Sequence, residues 1–200
     1  MKTKAQLHGD YFLLLEGDLV AIADTVELSE KNYSTFGPRI LQLILNAGSE
    51  LDTALKSLDG AVNEENVNVD KLSMREYKDF ITRYMLEEFT TAEVKFLHSE
   101  VVLAPWSSLA NDGETPTWWK MYNNVKHHRD RYYESATLKV ALDIAAALFV
   151  VDSYLEEYDY ATCGTTELLG STRIVEWKQH KMLPQLEKLY ADIGYSSDPL

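Results

Sequence analysis

The feature that most constrains the fold is the apolar stretch at residues 140–151, which is interrupted only by Asp143. Written as a helix, this stretch is apolar on every side, and such a helix is stable only where other elements surround it. Its twelve residues are too few to cross a bilayer, which needs roughly twenty. The stretch therefore predicts a central bundle helix over residues 136–158. A carboxylate inside it needs a partner, and Arg83 and His98 are both candidates.

Four further segments repeat apolar residues every three or four positions, which is the spacing of a helix with one buried face. Pro38 suits the first turn of the second segment, and Ser73 with Glu76 has the form of a capping box that opens the third. The predicted fold is therefore all-α, an up-and-down helical bundle of about five main helices. These four helices are predicted over residues 6–28, 38–58, 73–89 and 117–135.

The other segments are predicted to connect or extend this bundle. Residues 93–105 are rich in valine and leucine but lack helical spacing, so they predict a short irregular or β insertion. Residues 1–160 are expected to form the bundle, and residues 161–200 a short C-terminal extension packed on the same domain. Within that extension, residues 173–177 are predicted to be extended and residues 184–193 to form a short helix.

Charge and cysteine content exclude several classes of protein. A formal net charge of −13 argues against a broad surface for nucleic acid or anionic membrane, because phosphate binding is mostly electrostatic. Cys163 is the only cysteine, so an internal disulfide and a cysteine-based zinc site are excluded. The chain shows neither a signal-peptide pattern nor a membrane span, which favours a cytoplasmic protein. Common nucleotide-binding, metal and hydrolase motifs are missing, so neither a metal nor a cofactor is predicted.

A basic cluster stands out against this acidic background. Residues 118–131 read WWKMYNNVKHHRDR and hold two lysines, two histidines and two arginines. On a helix with about 100° per residue, a polar face forms around Asn123, opposite an apolar face, with Trp119 alongside. The side chains predicted on the polar face with Asn123 are Lys120, Lys126, His127, Asp130 and Glu134.

Two interpretations of this face stay open. In the first it is a solvated surface, stabilised by pairs such as Lys126 with Asp130 one turn apart. In the second it is a site, since histidine titrates near neutrality and is the commonest acid–base residue. The tryptophans are predicted as core residues, with stacking of Trp119 on a nucleobase as the alternative.

Residues 122–127, Tyr-Asn-Asn-Val-Lys-His, resemble the motif of HEPN domains, which are helical bundles of bacterial toxins and defence systems. That motif has an arginine, commonly followed by a polar residue, and then a histidine four to six residues on. Asn123 stands where the polar residue belongs and His127 where the histidine belongs. Residues 49–56, which contain Glu50 and Asp52, are similar to the acidic helix that packs near this motif in HEPN-like proteins.

The resemblance implies metal-independent cleavage of RNA by a homodimer. His127 would transfer protons, Asn123 would orient it or the phosphate, and Lys126 or Lys120 would neutralise charge. This chain departs from the motif at Tyr122, which stands in the position of the arginine. Lysine offers a point charge in place of the arginine fork, so the exchange is not conservative.

Three functional hypotheses follow. The first is a HEPN-like module of a bacterial defence or stress system that binds RNA, a nucleotide or a partner protein without catalysis. The second is a metal-independent endoribonuclease that uses His127, Asn123 and Lys126. The third is an interaction protein in which Glu50 or Asp52 pairs with a residue of the basic cluster (Lys126, His127 or Arg129) to lock two helices. The predicted binding residues are Lys120, Tyr122, Trp119, Arg129, Arg131, Glu50 and Asp52.

Overall fold

The computed structural model describes residues 2–63, 72–111, 114–164 and 172–182. Helices dominate these residues, and a small sheet accompanies them, which confirms the predicted helical bundle with a short β insertion. The helices are α1 (Lys4–Ala23), α2 (Pro38–Val62), α3 (Met74–Tyr84), α4 (Leu86–Thr91), α5 (Thr117–His127), α6 (Arg129–Tyr132) and α7 (Leu138–Cys163). The strands are β1 (Glu93–Phe96), β2 (Val102–Leu103) and β3 (Val175–Gln179), and 3-10 turns cover Glu30–Asn32, Ser107–Ala110 and Tyr133–Ser135.

The centre of the molecule is α7, as its all-round apolar sequence predicts. It packs on α1, α2 and α5, and its residues from Leu138 to Leu155 are almost all buried. Asp143 is neutralised by Lys139, one turn earlier on the same helix, so the predicted partners Arg83 and His98 are wrong. Burial raises the pKa of Asp143, and the hydrogen bond and charge of Lys139 act against that rise.

Two helix predictions need correction. The first helix ends at Ala23, short of residue 28. The amides of Thr25 and Val26 both donate hydrogen bonds to the carbonyl oxygen of Ile22, which closes the last turn. The third is interrupted at Met85, whose backbone (φ −156°, ψ 32°) is not helical. The interruption divides the predicted helix into α3 and α4. The capping box of Ser73 and Glu76 at the start of α3 is confirmed.

The sheet joins the insertion to the end of the described chain. β1 lies in the middle, antiparallel to β2 on one side and to β3 on the other. Trp177 of β3 packs on Phe149 of α7, with ring centroids 5.0 Å apart. Residues 172–182 are therefore held against the bundle. The helix predicted over residues 184–193 lies outside the described residues.

In the described part of the chain, no helix is both long enough and apolar enough to cross a membrane.

Candidate functional site

The basic cluster begins on α5, whose apolar side is fixed in the core. Pro116 precedes the helix, where a missing amide hydrogen costs nothing. Trp118, Tyr122 and Val125 are buried at spacings of four and three residues. Nε1 of Trp118 donates to the carbonyl oxygen of Pro105 at 2.7 Å. These contacts set which face of α5 meets solvent.

The helix ends at His127, so the prediction that it continues to residue 135 is wrong. His128 has φ −140° and ψ 54°, and the chain then makes only the single turn of α6 and a 3-10 turn. The physical reason is the return of the chain to the core. The backbone bridges Phe36 and Thr137, and the amide of Leu138 donates to Thr35 at 2.7 Å. A straight helix would carry residues 129–137 away from that anchor.

The break leaves the basic side chains together in the last turn of α5 and on α6. We use the name basic tip for the five exposed basic residues between positions 126 and 131. An open depression of about 690 Å³ lies against it, lined by three of these residues together with Asp130 and Tyr133. Glu134 now lies in the 3-10 turn, so it no longer shares the helical face of Asn123. The basic tip consists of Lys126, His127, His128, Arg129 and Arg131.

Two of the cations lie over aromatic rings. Nζ of Lys126 is 5.2 Å from the centroid of Tyr122, and Cζ of Arg131 is 5.4 Å from that of Tyr132. The pair predicted between Lys126 and Asp130 is not formed among the described contacts. Both residues instead line the depression, where their charged groups face solvent. Contacts with rings at this distance order a side chain without neutralising its charge.

The polar residues of α5 differ in what they can contribute. Lys120 is exposed, one helical turn before Asn124 and closer to the N-terminus of α5 than the tip. Asn123 is half-buried, and its Nδ2 donates to the carbonyl of Trp119 at 3.0 Å. That bond ties the amide to the helix backbone. His127 is exposed and belongs to the wall of the depression.

Trp119 and Tyr122 lie in the core. Trp119 is 8% exposed, and its ring meets Tyr77 edge-on at 6.2 Å, which confirms a packing role and leaves no face for a nucleobase. Tyr122 is 2% exposed, and its hydroxyl has no hydrogen-bond partner among the described residues. The side chain in the position of the motif arginine therefore cannot reach a phosphate at the tip.

The predicted pairing of Glu50 or Asp52 with the basic cluster is wrong. Glu50 bonds to Nδ1 of His8 at 2.5 Å. Asp52 accepts from Tyr77 Oη at 2.7 Å and from Lys56, also at 2.7 Å. Both carboxylates thus find donors on α1, on α3 or one turn along α2. The pKa of Tyr77 is raised mainly by burial of its side chain and, to a smaller extent, by its hydrogen bond to Asp52.

Sequence reasoning missed a second set of polar side chains in the bundle. His8 of α1 contacts Glu50 and also Ser57, whose Oγ lies 2.9 Å from Nε2. Glu50 and Ser57 are seven residues apart on α2, so they share a helical face, and this spacing was the available signal. The sequence alone does not indicate that the imidazole of His8, on α1, lies between these two side chains. No group of three or more metal-binding side chains occurs in the described residues.

Comparison of the chain with protein-family models, curated proteins and solved structures finds no match.

Proposed function

We propose that this protein is a HEPN-like, non-catalytic module that binds RNA through the basic tip. One observation carries the proposal: five side chains capable of positive charge are exposed together within residues 126–131, where Asp130 is the one acidic residue. The rest of the chain is acidic, with a formal net charge of −13 overall. An anionic polymer is therefore attracted to one end and repelled elsewhere, which sets its orientation.

The shape of the tip supports a flexible, single-stranded partner. The depression is open to solvent, so it suits a chain lying across it better than an enclosed small molecule. Tyr133 lines it, and Phe36, which is 44% exposed, meets the ring of Tyr133 at 5.7 Å. Tyr133 is half-buried, and aromatic rings that reach solvent beside cations are the surface on which unpaired bases stack.

The positions of the motif residues support a role without catalysis. Cleavage of a phosphodiester needs an acid–base group and a cation held in fixed positions. Tyr122 replaces the arginine and is buried, and the amide of Asn123 is engaged with the backbone of its own helix. Lys126 and His127 lie in the last turn of α5, and their side chains are exposed to solvent.

The test is fluorescence anisotropy with a labelled single-stranded RNA at several salt concentrations. Replacing Arg129 and Arg131 by alanine should weaken binding and flatten its salt dependence. Each lost phosphate contact lowers the slope of log affinity against log salt by about 0.7. Lys178→Ala removes an exposed cation from β3 and serves as the control that keeps wild-type affinity. Equal affinity in the arginine double variant and wild type would overturn the proposal.

The second candidate function is metal-independent RNA cleavage, and one observation favours it. Arg129 lines the same depression as His127 and Lys126, so it is an arginine available to replace the one missing from the motif. The same RNA is incubated with EDTA, and wild type is compared with His127→Ala by gel electrophoresis. Binding without cleavage supports the module, whereas cleavage that depends on His127 makes the protein a ribonuclease.

The homodimer implied by the resemblance stays a prediction, and sedimentation equilibrium measures it.

A further inference from the structure

Three side chains between α1 and α2 form a continuous chain of hydrogen bonds, which we call the relay. Nδ1 of His8 lies 2.5 Å from Oε1 of Glu50. On the other side of the ring, Nε2 lies 2.9 Å from Oγ of Ser57. A carboxylate, an imidazole and a hydroxyl therefore stand in the order and at the distances found where a histidine activates a serine.

The local structure holds the relay in place. Glu50 and Ser57 lie two turns apart on one face of α2, about 10.5 Å along the axis. The imidazole of His8, which projects from the first turns of α1, fills that interval. His8 is 7% exposed, so its bonds are shielded from water and are stronger than they would be on the surface. Each member of the relay sits on a regular helix, which restricts its movement.

The ionisation of the neighbouring groups suits this arrangement. Asp152 of α7 is buried near Glu50, and burial raises its pKa well above the usual range, with the charges of Glu50 and Glu156 adding to the rise. The burial that raises this pKa disfavours a second negative charge beside Glu50. In the tautomer that carries its proton on Nδ1, toward Glu50, the ring presents Nε2 as the acceptor for the hydroxyl proton of Ser57.

Ser57 is also the member of the relay that meets open space. It lines a pocket of about 210 Å³ where the N-terminal part of α1 faces the C-terminal parts of α2 and α7. His8 and Glu50 do not line this pocket; His8 is buried and Glu50 is half-buried. The pocket walls are more apolar than polar, and Lys4 provides a cation among them. The lining residues are Lys4, Ala5, Ser57, Ala61, Leu155, Tyr158, Asp159 and Thr162.

We propose that Ser57 is a nucleophile for acyl transfer from small carboxylic esters, with His8 as its general base and Glu50 as the positioning residue. In the first step the Ser57 oxygen bonds to the carbonyl carbon while its proton passes to Nε2 of His8. The carbon–oxygen bond to the leaving alcohol breaks, and the alcohol takes the proton from His8. Water then releases the acid by the same steps and restores Ser57, so no oxidant or cofactor is consumed.

The pocket limits the substrate class. Its volume of about 210 Å³ is below the roughly 300–1,000 Å³ of pockets that enclose drug-sized ligands. It accepts a short acyl chain and leaves a larger alcohol outside. Lys4 and Asp159 both line the pocket, so its wall holds one cationic and one acidic side chain.

The first experiment uses diisopropyl fluorophosphate, which reacts with activated serines, and intact-mass spectrometry of the full chain. Wild type should gain one phosphoryl group, located on Ser57 by peptide mapping, with fluoride released. Ser57→Ala should gain none. Ser49→Ala removes an exposed serine from the same helix and should label as wild type does. No adduct on wild type, or an adduct that persists in Ser57→Ala, would overturn the proposal.

The second experiment separates positioning from stability. With p-nitrophenyl acetate, Glu50→Gln should lower kcat by at least tenfold and leave KM within twofold, because the amide no longer holds the ring in the productive orientation. Thermal melting identifies any loss of fold, and Ser57→Ala should melt within a few degrees of wild type. An unchanged kcat in a folded Glu50→Gln variant would exclude the relay. RNA binding at the basic tip is unaffected by Ser57→Ala, so the two proposals fail independently.

Discussion

Gly48 shows how one missing atom determines the packing of α5 on α2. A Cβ at this position would lie 2.4 Å from the ring of Tyr122, much closer than atoms approach. The ring is buried on all sides and cannot move aside. The close approach of the two helices, and with it the orientation of the solvent face of α5, therefore depends on glycine at this position.

Gly48→Ala should accordingly destabilise the protein. The added methyl group overpacks the interface, and changes of this kind cost about 1–3 kcal/mol. Gly17→Ala is the matched control, because it places the same methyl group within α1, where its nearest neighbour, Nη2 of Arg173, is 4.0 Å away. There the better helix propensity of alanine should raise stability by up to about 1 kcal/mol. Urea unfolding monitored by circular dichroism measures both, and equal stabilities would contradict the packing argument.

At the scale of the elements, long helices were predictable and their interruptions were not. The rows of apolar residues in α1, α2 and α7 arise from burial of one face or of the whole helix, and that pattern is local in the sequence. The breaks at Met85 and His128 have no such pattern. The break at His128 serves the bridge between Phe36 and Thr137, a contact between residues far apart in the chain, so only the folded structure reveals its cause.

The contact of α7 with the end of β3 makes the stability of this region depend on pH. Burial raises the pKa of Glu157 to about 7 from an ordinary value of 4.5. The folded state therefore binds this proton more tightly than the unfolded chain, and the free energy of unfolding falls as pH rises from 4.5 to about 7. His180, whose Nε2 is 3.7 Å from Oε1 of Glu157, has its pKa lowered by burial. The unfolded chain therefore binds the His180 proton more tightly than the folded state. As pH falls below 6.5, this difference lowers the free energy of unfolding, which is the opposite pH dependence to that of Glu157.

Glu157→Gln should remove the first of these contributions. Relative to wild type, the variant should gain stability as pH rises from 5 to 8, by up to about 3 kcal/mol at 1.36 kcal/mol per pKa unit. Glu176→Gln, on the exposed side of β3, is the control and should follow the wild-type profile. Denaturant unfolding across this pH range makes the measurement. A constant difference between Glu157→Gln and wild type at every pH would show that the carboxyl group does not titrate in the window.

At the scale of the whole molecule, the candidate site was predictable only as far as it is local. The exposed cations of residues 126–131 were expected to lie together because they are neighbours in the sequence. The partner of Glu50 could not be found in this way, since His8 is 42 residues distant. The relay could not be predicted for the same reason, because its three side chains meet only when α1 packs on α2.

The distribution of charge, more than its total, should decide whether the molecule binds RNA. Reversing Arg129 and Arg131 to glutamate lowers the formal net charge by two for each residue, from −13 to −17. Reversing Arg75 of α3 and Lys178 of β3, both exposed, gives the same total away from the basic tip. The first pair should abolish binding at physiological salt, because it removes the local phosphate contacts.

The second pair should reduce binding only slightly, since it leaves the phosphate contacts of the basic tip in place. Anisotropy titrations of both double variants against the same RNA make the comparison. Equal losses in the two would assign RNA binding to the overall field of the molecule and remove the basic tip as its site.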